Sequence, residues 1–153
     1  MQITQIQDTS LKLYLGIEIE STQLDSNDLQ FDKILKTAES TIQNFADYNK
    51  KLLERNRDKY HITIFNAAEC AKFPSLLINA TGLHVKDSSI TFKGIGSISQ
   101  DDMTTYFIVV YSPVINKLRT DANLPEKDLH ITIGFTHKDL FKSRKNEPNL
   151  IQF

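Results

Sequence analysis

Two tetrapeptides of identical composition, His-Ile-Thr-Ile, stand at residues 61–64 and 130–133. Each holds a histidine and a threonine two positions apart, His61 with Thr63 and His130 with Thr132. On a β-strand, side chains two apart project to the same face, so each pair can grip one group together. An imidazole titrates near pH 6.5 and can take or give a proton at working pH. A hydroxyl beside it can donate a hydrogen bond to a non-bridging phosphate oxygen. Two such pairs facing one another would supply a base, an acid and two donors for developing negative charge, without a metal. Taken alone, each threonine is explained by the ordinary preference of threonine for strands. Two strand histidines kept for structure are the competing explanation, but buried imidazoles need partners. The coupling of each threonine to a histidine, twice over, is what singles these residues out. His84 is followed by Val85 and Lys86 and has no such hydroxyl, and His137 falls in a loop segment.

The flanking patterns describe how the pairs would be held. Residues 11–19 alternate, with Leu11, Leu13, Leu15, Ile17 and Ile19 on one face and Lys12, Tyr14, Gly16 and Glu18 on the other, the signature of a half-buried strand. A polar stretch at 21–28 offers helix caps. Phe31, Ile34, Leu35, Ala38, Ile42 and Phe45 then recur at helical spacing, continuing to Leu52 and Leu53, as one long helix or two abutting ones. The basic run 50–59 reads as a solvated helix end. In the strand 60–65, Tyr60, Ile62 and Ile64 point one way and His61, Thr63 and Phe65 the other. Residues 66–80 read as partly helical, limited by Pro74. Two short strands with a bend at Gly94 and Gly96 are expected over 83–99, and an apolar strand over 104–111. A helix capped by Ser112 with Pro113 at its first position comes next. The second motif strand is 129–135, and the tail 136–153 is polar and basic. The order implies a duplicated strand–helix–strand unit of α+β class, whose two motif strands lie side by side with helices covering the isoleucines.

The 153 residues are read as one domain, 1–153, with no linker and no low-complexity tract. With 40% hydrophobic and 24% charged residues the composition is that of an ordinary globular chain. The 18 basic and 19 acidic side chains nearly cancel, which argues against a protein that coats nucleic acid in bulk. The one cysteine, Cys70, forbids an intrachain disulfide and reads as a small buried apolar residue. Nothing resembles a secretory leader or a membrane span, so a cytoplasmic location is expected. No metal or cofactor is expected, because metal-ligand spacings and a glycine-rich phosphate loop are both missing.

The segments 60–65 and 129–135, with histidine and threonine flanked by apolar residues on strands, resemble the two-histidine (2H) phosphoesterase superfamily. The order of elements resembles it over nearly the whole chain. Within that superfamily, Gly134-Phe135-Thr136-His137-Lys138-Asp139 is similar to bacterial and phage RNA-repair-like members. The resemblance implies two symmetry-related lobes, each with an antiparallel sheet, lining a central cleft with helices outside. It implies a hydrolase with His61 and His130 as the catalytic acid–base pair, their individual roles unassigned, and Thr63 and Thr132 as phosphate-binding hydroxyls. The implied chemistry is cyclic phosphodiesterase or RNA-processing work: opening 2′,3′-cyclic phosphates, hydrolysing 2′–5′ or 3′–5′ linkages, or ligation. The implied partner is an RNA end, a small oligonucleotide or a cyclic nucleotide; no membrane and no obligate protein partner is inferred. A nucleotide- or RNA-binding module without turnover, and a phage anti-defence nuclease for cyclic oligonucleotides, are the alternatives.

Four further residues are candidates for base or phosphate contacts. Tyr14 lies on the polar face of the first strand and could stack a base; a rim or core role competes. Lys12 shares that face. Phe135 closes the second motif strand, as Phe65 closes the first, with core packing the stronger expectation for both. Lys138 begins a basic tail with Lys142, Arg144 and Lys145 that could bind phosphates but reads better as a solvated loop. Tyr106 reads as core.

Overall fold

The computed structural model describes residues 1–20, 29–141 and 144–151. The expected caps at 21–28 and Lys142 lie outside the described residues. Two three-stranded antiparallel sheets form the frame. The first runs β1 (Ile3–Gln7), β2 (Leu13–Glu20), β3 (Lys59–Phe65); the second runs β4 (Thr91–Gln100), β5 (Met103–Tyr111), β6 (His130–Phe135). Among the described residues, five helices join them: α1 (Leu29–Thr41), α2 (Phe45–Arg55), α3 (Ala67–Lys72), α4 (Ser75–Asn79) and α5 (Pro113–Asp121). The α+β class and the two antiparallel sheets are as expected. Each motif strand is the last strand of its sheet, and β3 and β6 approach each other across the junction of the two sheets.

Helices are exchanged between the halves. α2 packs on β6 of the second sheet, and α5 on β3 of the first. Gly134 permits the first contact: a Cβ there would stand 3.1 Å from the Tyr48 carbonyl carbon and 3.2 Å from the Asn49 nitrogen, leaving backbone against backbone. Isoleucines from both motif strands, Ile62, Ile64, Ile131 and Ile133, are wholly buried in one core with Phe31, Leu52 and Ile115.

Directly after each motif threonine the ladder slips by one residue. Gly16 pairs with Thr63 but Leu15 with Phe65, so Ile64 bulges out of register. Phe107 pairs with Thr132 but Tyr106 with Gly134, so Ile133 does the same. The strand alternation therefore breaks at Ile64, and Phe65 turns into the core at 1% exposure instead of sharing the His61 face. A bulge frees a carbonyl, and each is recovered by the helix from the other half. Arg119 Nη1 on α5 donates to the Ile64 carbonyl at 2.6 Å, and Asn49 Nδ2 on α2 donates to the Ile133 carbonyl at 2.7 Å. Gly16 faces the first bulge, where a Cβ would sit 2.4 Å from the Ile62 carbonyl oxygen.

Several local expectations are corrected. β2 begins at Leu13: the Asp8 carboxylate accepts from the backbone N–H groups of Ser10 and Lys12, closing a turn that leaves Leu11 at positive φ and 70% exposed. β1 was not expected, because its two isoleucines are three apart and do not alternate. Residues 83–99 hold one strand, β4, with a bulge beside Gly94, preceded by a 3-10 turn, instead of two strands. Of the one long or two abutting helices expected over 31–53, the structure holds two, divided at Asn44, which takes positive φ. Ser112 caps α5 with Pro113 in its first turn, as the sequence implies.

Candidate functional site

A cleft of about 1350 Å³ runs between the sheets, and His61, Thr63, His130 and Thr132 all line it. The two histidines are set differently. His130 Nδ1 lies 3.0 Å from the Asp128 carbonyl oxygen, which can only accept; Nδ1 therefore carries the proton and Nε2 is left free. The Phe107 ring meets the His130 imidazole edge-on at 6.2 Å. His61 is held by side chains. Its Nε2 stands 3.4 Å from the Tyr14 hydroxyl, and its Nδ1 stands 3.5 Å from Asn56 Nδ2. Asn56 is oriented in turn by Arg55, whose Nε donates to Asn56 Oδ1 at 2.9 Å.

Burial is the main electrostatic influence on both histidines. It pushes the pKa of each down to about 4, because the imidazolium loses its hydration. At His61 the Arg55 charge adds to the fall, while Asp139 and Glu18 oppose it. At His130 Lys145 adds to it, while the Asp128 carbonyl opposes it. Burial also pushes Tyr14 up to about 12, so it stays a neutral hydroxyl.

The sequence reading missed a charged cluster at the cleft floor. Asp139 is buried, and burial alone would raise its pKa; it is nevertheless held below the usual carboxylate range by two cations. Lys145 Nζ reaches it at 2.8 Å and Arg55 Nη1 at 3.1 Å. Arg55 also lies 5.2 Å over the Phe135 ring. The run 50–59 is thus not only a solvated helix end, because its Arg55 and Asn56 enter the site. Nor is the tail wholly solvated: Lys145 is 4% exposed, and Arg144 pairs with Asp128 at the cleft edge. Asp139, the one acid between the tail cations Lys138 and Lys145, was the available signal.

Of the secondary candidates, Tyr14, Phe135 and Lys138 line the cleft, Phe135 as a buried floor residue and Lys138 as an exposed one. Lys12 does not: it is exposed in the turn before β2 and absent from the cleft lining. His137 is at the rim, bonded to the Thr136 hydroxyl. Tyr106 is partly buried and stacks on Tyr48. Cys70 is buried in the core. Among the described residues no three His, Cys, Asp or Glu side chains group as metal ligands, and no helix is long and apolar enough to cross a membrane.

Two α+β lobes each present a histidine–threonine pair to one cleft, and a phosphoesterase family matches most of the chain. The chain belongs to it: the family model described as Swiss Army Knife, 2H phosphoesterase domain, matches residues 23–141. Membership makes the protein a phosphoesterase of hydrolase type. The match carries the superfamily, not the narrower likeness to RNA-repair-like members. No curated protein and no solved structure matches the chain.

Proposed function

We propose that the protein is a metal-independent phosphodiesterase acting on 2′,3′-cyclic phosphate, or on 2′–5′ or 3′–5′ linkages, in RNA ends or small oligonucleotides. The observation that carries this reading is the convergence of both His-x-Thr pairs on one cleft. Thr63 and Thr132 hold the non-bridging oxygens of the phosphate. One histidine takes a proton from water as its oxygen bonds to phosphorus. The other gives a proton to the sugar oxygen as the P–O bond to it breaks. The bound phosphate's negative charge offsets the burial that pushes both imidazoles toward the neutral form.

The test is an assay in excess chelator of the wild type and of His61→Ala/His130→Ala. The panel holds 2′,3′-cyclic mononucleotides, 2′–5′ and 3′–5′ oligoadenylates, an RNA ending in a cyclic phosphate, and cyclic dinucleotides. Turnover of one class that the double substitution abolishes is the expected result. Loss of turnover in chelator would sink the metal-free mechanism. Binding without turnover would make the protein a nucleotide-binding module on the same fold, and turnover confined to cyclic dinucleotides would favour destruction of cyclic signals.

A further inference from the structure

Most cations that enter the cleft are already committed. Lys59 pairs with Glu18, Arg55 and Lys145 share Asp139, and Arg144 pairs with Asp128. Arg57 and Lys138 are exposed and need no partner. Lys127 differs from both groups. It is partly buried and lines the cleft, yet among the described residues its ammonium meets no carboxylate at ion-pair distance. Burial pulls its pKa down, and Glu69, whose carboxylate is already paired with Arg119, opposes the fall only from beyond ion-pair distance.

The position of Lys127 is built. Asn116 on α5 clamps its backbone from both sides, with Oδ1 accepting the Lys127 N–H at 2.9 Å and Nδ2 donating to its carbonyl at 3.4 Å. The next residue, Asp128, supplies the carbonyl that orients His130. A cation held in the cleft close enough to act on His130, with no ion-pair partner among the described residues, is preorganised for an anion. The two histidine–threonine pairs already furnish donors for the scissile phosphate. The cleft's volume also exceeds the roughly 300–1,000 Å³ typical of small-ligand pockets, which leaves room for a longer ligand.

We infer that Lys127 binds a second phosphate of the substrate, so that the protein acts on oligonucleotides or 5′-phosphorylated nucleotides in preference to a lone nucleoside cyclic phosphate. This rests on the phosphodiesterase reading above. The experiment compares adenosine 2′,3′-cyclic phosphate with and without a 5′-phosphate, in wild type, Lys127→Met and Lys127→Arg. Wild type should favour the 5′-phosphorylated form in kcat/KM, and Lys127→Met should cut that preference by about 10-fold or more, the scale of a lost charge-assisted hydrogen bond. Lys127→Arg should restore much of it. A preference that Lys127→Met leaves unchanged overturns the inference, whether both activities fall together or neither does.

Calorimetry with adenosine 3′-phosphate and adenosine 3′,5′-bisphosphate gives a readout independent of turnover. The bisphosphate should bind tighter, and Lys127→Met should remove the advantage. If both nucleotides bind equally in wild type and variant, Lys127 has no such role while the phosphodiesterase reading stands. If neither is bound or turned over, that reading falls and takes this inference with it.

Discussion

The two halves of the cleft carry the same tetrapeptide in different surroundings. His130 is fixed by a main-chain carbonyl, an acceptor that no side-chain substitution removes. His61 is fixed by Tyr14 and Asn56, the latter steered by an arginine that answers to Asp139 on the opposite lobe. The bulge behind each motif shows the same divergence. One freed carbonyl takes a neutral amide, Asn49, and the other takes a buried guanidinium, Arg119, that also forms a two-pronged pair with Glu69. The two halves share matching strands and bulges; the neighbours around them differ. The second half holds its histidine through the backbone, and the first through a network of side chains that mutation can reach.

The largest effects should come from the histidines themselves. His61→Ala and His130→Ala should each lower kcat by about 10²–10⁴-fold while product binding changes far less, measured by steady-state kinetics and calorimetry. If only one substitution mattered, the halves would be functionally unequal, and two-histidine chemistry would give way to one-histidine chemistry.

Next come the bulge caps. Arg119→Met strands Glu69 and the Ile64 carbonyl and should cost about 3 kcal/mol in denaturant unfolding. Asn49→Leu strands the Ile133 carbonyl and should cost about 1–2 kcal/mol. Equal losses would show that the charged cap adds nothing over the neutral one.

The histidine pKa values, about 4 in the fold against about 6.5 unfolded, act on stability and activity in opposite senses. Below pH 6.5 the unfolded chain binds protons that the fold rejects. The stability contributed by burying neutral imidazoles is therefore complete above pH 6.5 and lost as pH falls through 4. His130→Gln should make that acid slope shallower in urea titrations across this window. On the proposed two-histidine mechanism, kcat/KM needs one neutral and one protonated histidine, so it should rise as pH falls below 7 and peak on the acid side of 6.5. A maximum above pH 7 would show that burial in the cleft does not hold both imidazoles neutral.

The smallest effect tests the side-chain support of His61. Its contact with the Tyr14 hydroxyl is long, at 3.4 Å, so Tyr14→Phe should change kcat less than about 10-fold. It should shift the pH profile, a response that a purely structural tyrosine would not produce.

Much of this was legible in the chain because it depends on local pattern. A period of two marks β2, β3 and β6, helical spacing marks α1 and α2, and Ser112-Pro113 announces the start of α5. The repeated His-x-Thr spacing named the four cleft residues, since neighbours two apart on a strand share a face wherever the strand lies. The core packing of Phe65 was legible from its type, but its face was not, because a bulge of one residue reverses the face of each later residue on its strand, and that slip is set by cross-strand register. Asn56, Arg55, Asp139 and Lys145 escaped because their roles depend on α2 crossing to the other lobe and on the tail folding back. Lys127 carries no signal in the sequence; its burial, and the lack of an ion-pair partner among the described residues, come from packing. Side-chain type and spacing decided which groups could do chemistry; which charges meet, and which are left waiting for an anion, was decided by contacts between residues far apart in the chain, where burial multiplies the strength of every charge.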